Sequence, residues 1–149
     1  MIKFKKIIVF TLIFSALLGF AIVPDALAAK KKKKITDEEI TQITTTINTL
    51  VKKVYASGLF SPKDNEDLID IKLQLDDALL GNPNNNDFPQ LYYKTGFIYR
   101  EREYREEAIE CFQTVLDNFP DSPYAAKAMN ELKKMGVKIT SPDSQDTME

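Results

Sequence analysis

The most constraining stretch of this chain of 149 residues runs from Tyr92 to Pro120. It reads Tyr-Tyr-Lys-Thr-Gly-Phe-Ile-Tyr, then an Arg/Glu-rich turn, then Glu-Ala-Ile-Glu-Cys-Phe-Gln-Thr-Val-Leu-Asp-Asn-Phe-Pro. Tyr92, Thr95, Gly96 and Tyr99 follow the three-and-four step that gathers residues on one helical face, and Ala108, Phe112, Val115 and Phe119 repeat it. Two short amphipathic helices joined by a tight turn satisfy both series. Small residues at Gly96 and Ala108 let the two backbones approach, while Tyr92, Tyr99 and Phe112 supply the surrounding bulk. Such a pair cannot bury its apolar sides alone, so further helices must stack on it.

The same residues carry a family resemblance. Tyr92, Gly96, Tyr99, Ala108, Phe112 and Pro120 stand at the spacings of a tetratricopeptide repeat. Thr95 replaces the usual Leu, Val115 a usual Ala, and Glu103 the turn glycine. Tyr104 lies one residue earlier than the turn aromatic commonly does. The resemblance implies an all-α chain, a short solenoid of about five helices arranged as hairpins.

The first residues belong to a different programme. Lys3, Lys5 and Lys6 precede an uncharged run from Ile7 to Pro24, and Ala26-Leu27-Ala28 offers an Ala-x-Ala cleavage site, the layout of a secretory signal peptide over residues 1–28. The alternative is an uncleaved anchor, because Ile7 to Val23 approaches the roughly 20 apolar residues that span a bilayer. Lys30–Lys34 follow, inside a basic linker over residues 29–35. Removing residues 1–28 takes away three lysines and Asp25, and the formal charge goes from −2 to −4; without the five linker lysines it is −9. An acidic body on a basic leash lacks the basic face that nucleic-acid binding needs. The lysines suit contact with an anionic membrane surface, at roughly 1 kcal/mol each, or with an acidic partner, or a solvated spacer.

The helical domain is expected over residues 36–136. Thr36 and Glu39 form a capping box, with Ile35 and Ile40 spaced as a hydrophobic staple. Ile40, Ile43, Ile47, Leu50, Val51 and Val54 then mark one face down to about Ser57, despite five threonines that lower helix propensity. Gly58 breaks the run. Ser61-Pro62 opens a second helix, on which Leu68, Ile71, Leu75 and Ala78 line one face while Ile69, Leu73 and Leu80 widen it. Ile71, Leu75, Ala78 and Pro83 repeat the spacings of Ala108, Phe112, Val115 and Pro120, so residues 36–83 read as a degenerate first repeat and 87–120 as the clear one. Asp87, with Gln90 three residues on, caps the third helix. Ser122-Pro123 opens a capping helix over 122–136, on which Ala125, Ala128, Met129 and Leu132 face inward. The junction from Phe119 to Ala128 resembles those of bacterial envelope repeat proteins, the outer-membrane-assembly lipoproteins and the Tol–Pal coordinator. Residues 137–149 read as a loose polar tail.

Little chemistry is available. The sequence has no His, which removes His-based triads, the usual general base and the commonest metal ligand. There is no phosphate-binding glycine loop, and the Asn84–Asn86 connector lacks the acids of a calcium loop. Cys111 stands alone and reads as a small residue packed at a helix contact; a reactive thiol or an intermolecular disulfide is the other reading. Glu106 and Glu107 read as surface partners of Arg102 and Arg105. No enzyme, cofactor or metal is expected, which leaves binding. The resemblance implies a concave groove lined by the first helix of each pair, where Gln90, Tyr93, Lys94, Phe97, Arg100 and Glu101 become candidate contacts for a protein or peptide partner in the cell envelope. Tyr93 and Phe97 stand where the family's carboxylate clamp has polar residues, so an amphipathic helix or extended segment fits better than a chain terminus. Phe97 could equally pack on the first helix. Self-association is the remaining reading, since about three repeats are normally needed for stability.

Overall fold

The computed structural model describes residues 35–138. The expected signal peptide, Lys30–Lys34 and the tail beyond residue 138 lie outside the described residues. Within them are five helices and no strand: α1 (Asp37–Tyr55), α2 (Pro62–Gly81), α3 (Phe88–Glu101), α4 (Arg105–Asn118) and α5 (Ala125–Lys134). The all-α expectation holds.

α1 begins with the reciprocal capping box. The Glu39 N–H donates to Thr36 Oγ1 at 3.2 Å, and the Thr36 N–H donates to the Glu39 carboxylate at 2.9 Å. Each hydroxyl of Thr41, Thr44, Thr45, Thr46 and Thr49 donates to the carbonyl four residues back, at 2.8 to 3.0 Å. These bonds let β-branched polar residues sit inside a helix that their propensity disfavours. Ile40, Ile43, Ile47 and Leu50 are buried. The helix stops at Tyr55, short of the expected Ser57, and the left-handed residue is Ser57 (φ 51°) rather than Gly58. The Ser57 N–H returns to Val54 O and the Gly58 N–H to Lys53 O, which closes a Schellman motif.

α2 is fastened to the end of α1 by one carboxylate. Asp64 accepts from the Ser61 N–H and Oγ, both at 2.7 Å, and from Lys53 Nζ at 2.5 Å. The Lys53 and Ser61 hydrogen bonds hold the Asp64 pKa down at about 2. A carboxyl depressed in the folded state contributes stability above its ordinary range and loses it as the pH falls through the folded value. Leu68, Ile71, Leu75 and Ala78 are buried as the periodicity requires. Ile69, Leu73 and Leu80 do not widen that face; they are 55%, 59% and 63% exposed. At about 100° per residue they lie roughly 160° away from the buried stripe, on a side of α2 where no described helix packs.

α3 also starts differently from expectation. Asp87 has helical backbone angles (φ −82°, ψ −26°) and makes no side-chain capping bond, because a capping side chain needs an extended backbone to reach the next N–H groups. Instead Asn85 Oδ1 accepts from the Asp87 N–H at 2.8 Å. α3 is buried on more than one side, at Phe88, Leu91, Tyr92, Thr95, Gly96, Ile98 and Tyr99. The three-residue turn to α4 is another Schellman closure: Glu103 N–H to Arg100 O and Tyr104 N–H to Tyr99 O, with Glu103 at φ 65°. Glu103 therefore holds a left-handed turn position, one that glycine occupies without strain. Replacing Glu103 by Gly is expected to stabilise the chain by about 0.5–1 kcal/mol, because a side chain at positive φ is strained; an unchanged or lower urea midpoint would contradict this.

α3 and α4 share the most extensive helix contact. Gly96 makes it so: a Cβ there would sit 2.9 Å from Phe112 Cε1 and 3.0 Å from Cys111 Cβ. Ala108, Cys111, Phe112 and Val115 are buried on the α4 side. α5 begins at Ala125, after a turn through Ser122-Pro123 in which the Ala125 N–H bonds to Ser122 O. Gly136 (φ 71°) ends it in a third Schellman closure, with Val137 N–H to Leu132 O. Arg105 donates to Met135 O at 2.6 Å, and Arg102 lies over the Phe60 ring at 4.5 Å. These two arginines tie neighbouring segments together rather than pairing with Glu106 and Glu107 as expected. The helices form two rows, α1–α3–α5 and α2–α4, with α3 packed against all four others; the backbones of α2 and α4 stay apart, and the Lys72–Glu110 ion pair links them.

Candidate functional site

The row α1–α3–α5 holds the residues expected to meet a partner. Phe97 of α3 is half-buried and stacks on Tyr55 at the end of α1, with ring centroids 5.4 Å apart and planes 28° apart. Tyr55 is 75% exposed, so the outer side of this aromatic pair is open. Arg100 lies over the Phe97 ring at 5.1 Å. One side of the Phe97 ring thus packs on the first helix, as the packing alternative expects, and the pair still forms part of the surface. Lys94 Nζ donates to Asn48 Oδ1 of α1 at 2.8 Å. Gln90 is half-buried and Glu101 exposed.

Tyr93 and Arg100 are committed inside the chain. Tyr93 sits between Phe112 and Tyr124, with centroids 5.7 and 5.6 Å away. Arg100 pairs with Glu131 of α5 through one terminal nitrogen and with Glu101 through another, and its Nε is 3.1 Å from Glu101 Oε1. Glu131 is buried and also receives Lys134 Nζ at 3.0 Å. Sequence reading missed Glu131, because it stands among polar residues that suit a solvated face; only its spacing from Ala128 and Leu132 hints that it turns inward. Lys94 and Glu101 are likewise paired, with Asn48 and Arg100, so around Phe97 the surface without such a partner narrows to the outer face of Tyr55 and the Phe97 edge.

A second surface lies where α2 and α4 leave a gap. It is a groove of about 390 Å³, floored by Leu68 and Tyr99 and edged by Ile69, Leu73, Tyr104 and Glu107. Across it runs a polar chain. Tyr92 donates to Asp76 at 2.9 Å, Lys72 Nζ lies 2.7 Å from Asp76, and the same Nζ lies 3.4 Å from Glu110 of α4. Burial first, then the negative charge of Asp76, pushes the Tyr92 pKa well up, so the phenol keeps its proton and donates. Burial works against the charge on Lys72, yet the hydrogen bond and charge of Asp76 hold its pKa above the ordinary value. Cys111 is buried nearby, and desolvation pushes its thiol up to about 12. A nucleophilic thiolate at neutral pH is thereby suppressed, in keeping with the packing role read from the sequence.

Among the described residues no cluster of three or more His, Cys, Asp or Glu side chains could hold a metal ion. No described helix is long and apolar enough to cross a membrane. Comparison with known proteins brings no relative to bear: no family, curated protein or solved structure matches the chain.

Proposed function

We propose that this chain is an exported, non-catalytic protein-interaction module of tetratricopeptide type, which binds a protein or peptide of the cell envelope along the α1–α3–α5 row. The observation that carries the proposal is the Tyr55–Phe97 pair, a stacked aromatic unit with one open side on that row. Exposed aromatic groups beside a cation are typical anchors for a partner, since they bring large apolar area at small conformational cost. The hairpin α3/α4, closed at Gly96 and turned at Glu103, supports the family reading. The absence of His from the sequence supports a binding rather than a catalytic role.

The test places a photo-crosslinking residue at position 55 in the chain expressed in its own host, and examines the envelope fraction. A discrete adduct is expected. Phe97→Asp should weaken partner capture at least about tenfold, the loss of one anchor residue, while the helical circular-dichroism signal stays intact. Lost helicity in Phe97→Asp, with capture unchanged in Tyr55→Ser, would assign the pair to the core and end this reading.

A further inference from the structure

The stripe formed by Ile69, Leu73 and Leu80 has no covering helix among the described residues, although each side chain is more than half exposed. These residues and Asp76 fall within about 60° of one another at about 100° per residue. From Ile69 to Leu80 the stripe runs roughly 16 Å along α2, at about 1.5 Å per residue. It is continuous with the α2/α4 groove, because Ile69 and Leu73 edge that groove opposite Tyr104 and Glu107 of the neighbouring hairpin. Tyr104 is 42% exposed and meets Tyr99 edge-to-face at 6.1 Å, which fixes its ring at the groove mouth.

The charge surrounding this apolar surface is mostly negative: the groove lining holds Asp76, Glu107 and Glu110 against the single cation Lys72. α2 and α4 together carry ten acidic residues and three basic ones. All three cations already have partners: Lys63 pairs with Asp67 at 2.8 Å, Lys72 with Asp76 and Glu110, and Arg105 donates to Met135 O. An acidic occupant would meet like charge on both banks; a basic one would meet complementary charge.

Backbone chemistry selects the occupant's conformation. α2 and α4 use their N–H and C=O groups within their own helices, so the groove has no exposed strand edge for an extended peptide to pair with. An extended segment pressed against Ile69 and Leu73 would bury unpaired amides, which is costly. A helix brings its backbone bonds already made and can lay a ridge of side chains between α2 and α4.

We propose that the groove between α2 and α4 docks a basic amphipathic helix of about three turns supplied by a partner protein. Its apolar face covers Ile69, Leu73, Leu80 and Tyr104, and its Lys or Arg side chains meet Glu107, Glu110 and the acids of α2. This site is separate from the Tyr55–Phe97 surface and does not depend on it.

The test uses the full chain and two synthetic amphipathic peptides of about 18 residues, long enough to be helical, with identical leucine faces. The polar face is lysine in one and glutamate in the other. Fluorescence anisotropy is expected to show the lysine peptide binding at least tenfold more tightly. Ile69→Ser/Leu73→Ser should reduce that affinity at least tenfold with no change in melting temperature, and Tyr55→Ser should leave it unaltered. Tyr104→Ser gives a second variant should the double substitution impair folding. Equal binding of both peptides, binding of neither, or lysine-peptide binding that survives the groove variants overturns the proposal. So does self-association of the unmodified chain in sedimentation that the double substitution abolishes, since the occupant would then be a second copy.

Discussion

Gly96→Leu is expected to lower the melting temperature by more than about 10 °C. The reason is the α3/α4 seam. A Cβ at position 96 would sit 3.0 Å from Cys111 Cβ, an atom fixed to the α4 backbone, and 2.9 Å from the ring of Phe112. That ring is fully buried and packs against Tyr93, with centroids 5.7 Å apart, so it has little room to turn away. Overpacking a well-filled contact costs about 1–3 kcal/mol, and leucine adds three atoms beyond the Cβ to the same space. Each kcal/mol moves the midpoint by roughly 4–8 °C in a domain of about this size. Gly96→Ala separates the opposing effects. Alanine gains about 1 kcal/mol of helix propensity, which offsets part of the clash, so its loss should be distinctly smaller than that of leucine. A leucine variant melting with the unmodified chain would mean that α3 and α4 do not meet at Gly96.

Arg100→Met is expected to destabilise by about 2–3 kcal/mol. Removing one partner from a buried ion pair costs roughly 3–5 kcal/mol; here the figure falls below that range, because the Arg100 side chain is 25% exposed and Lys134 still reaches Glu131. Glu131 is the group that suffers, since its side chain is only 9% exposed. The prediction can be isolated with Glu131→Leu. If the buried carboxylate is the source of the loss, Arg100→Met/Glu131→Leu should recover much of it, with a coupling energy of about 1–3 kcal/mol in a double-mutant cycle. Additive losses in urea melts would show instead that Arg100 acts through Phe97 or Glu101 alone.

These two positions also mark how far the sequence could be read. Gly96 was legible because a residue without a side chain, flanked by aromatic residues at helical spacing, has one physical use: close approach of a second backbone. Thr36 and Glu39 were legible because a capping box is local and needs no tertiary context. Ile71, Leu75 and Ala78 were legible through their repetition at Ala108, Phe112 and Val115. Glu131 was not, because a buried carboxylate is stable only through Arg100, thirty-one positions away. Asp64 is an intermediate case. Its place three residues after Ser61 announces a cap, but its link to Lys53 appears only when α2 turns back along α1. Ile69, Leu73 and Leu80 failed for another reason. Apolar character says that a side chain avoids water and not which neighbour removes it, and α2 has two apolar faces with a packed helix on only one. Phe97 lies between these cases: half of its ring is accounted for by Tyr55, and the other half faces outward.

Cys111 has a consequence that reaches past stability. It is the sole cysteine of the chain, fully buried, and its Cβ lies against the bare backbone of Gly96. A thiol reagent can reach it only while the seam breathes, so the labelling rate under native conditions is a clock for the opening of this one hairpin. No residue needs to be introduced to read it. Occupancy of either proposed docking face, if it steadies the hairpin, would be read from within as a slowing of that clock.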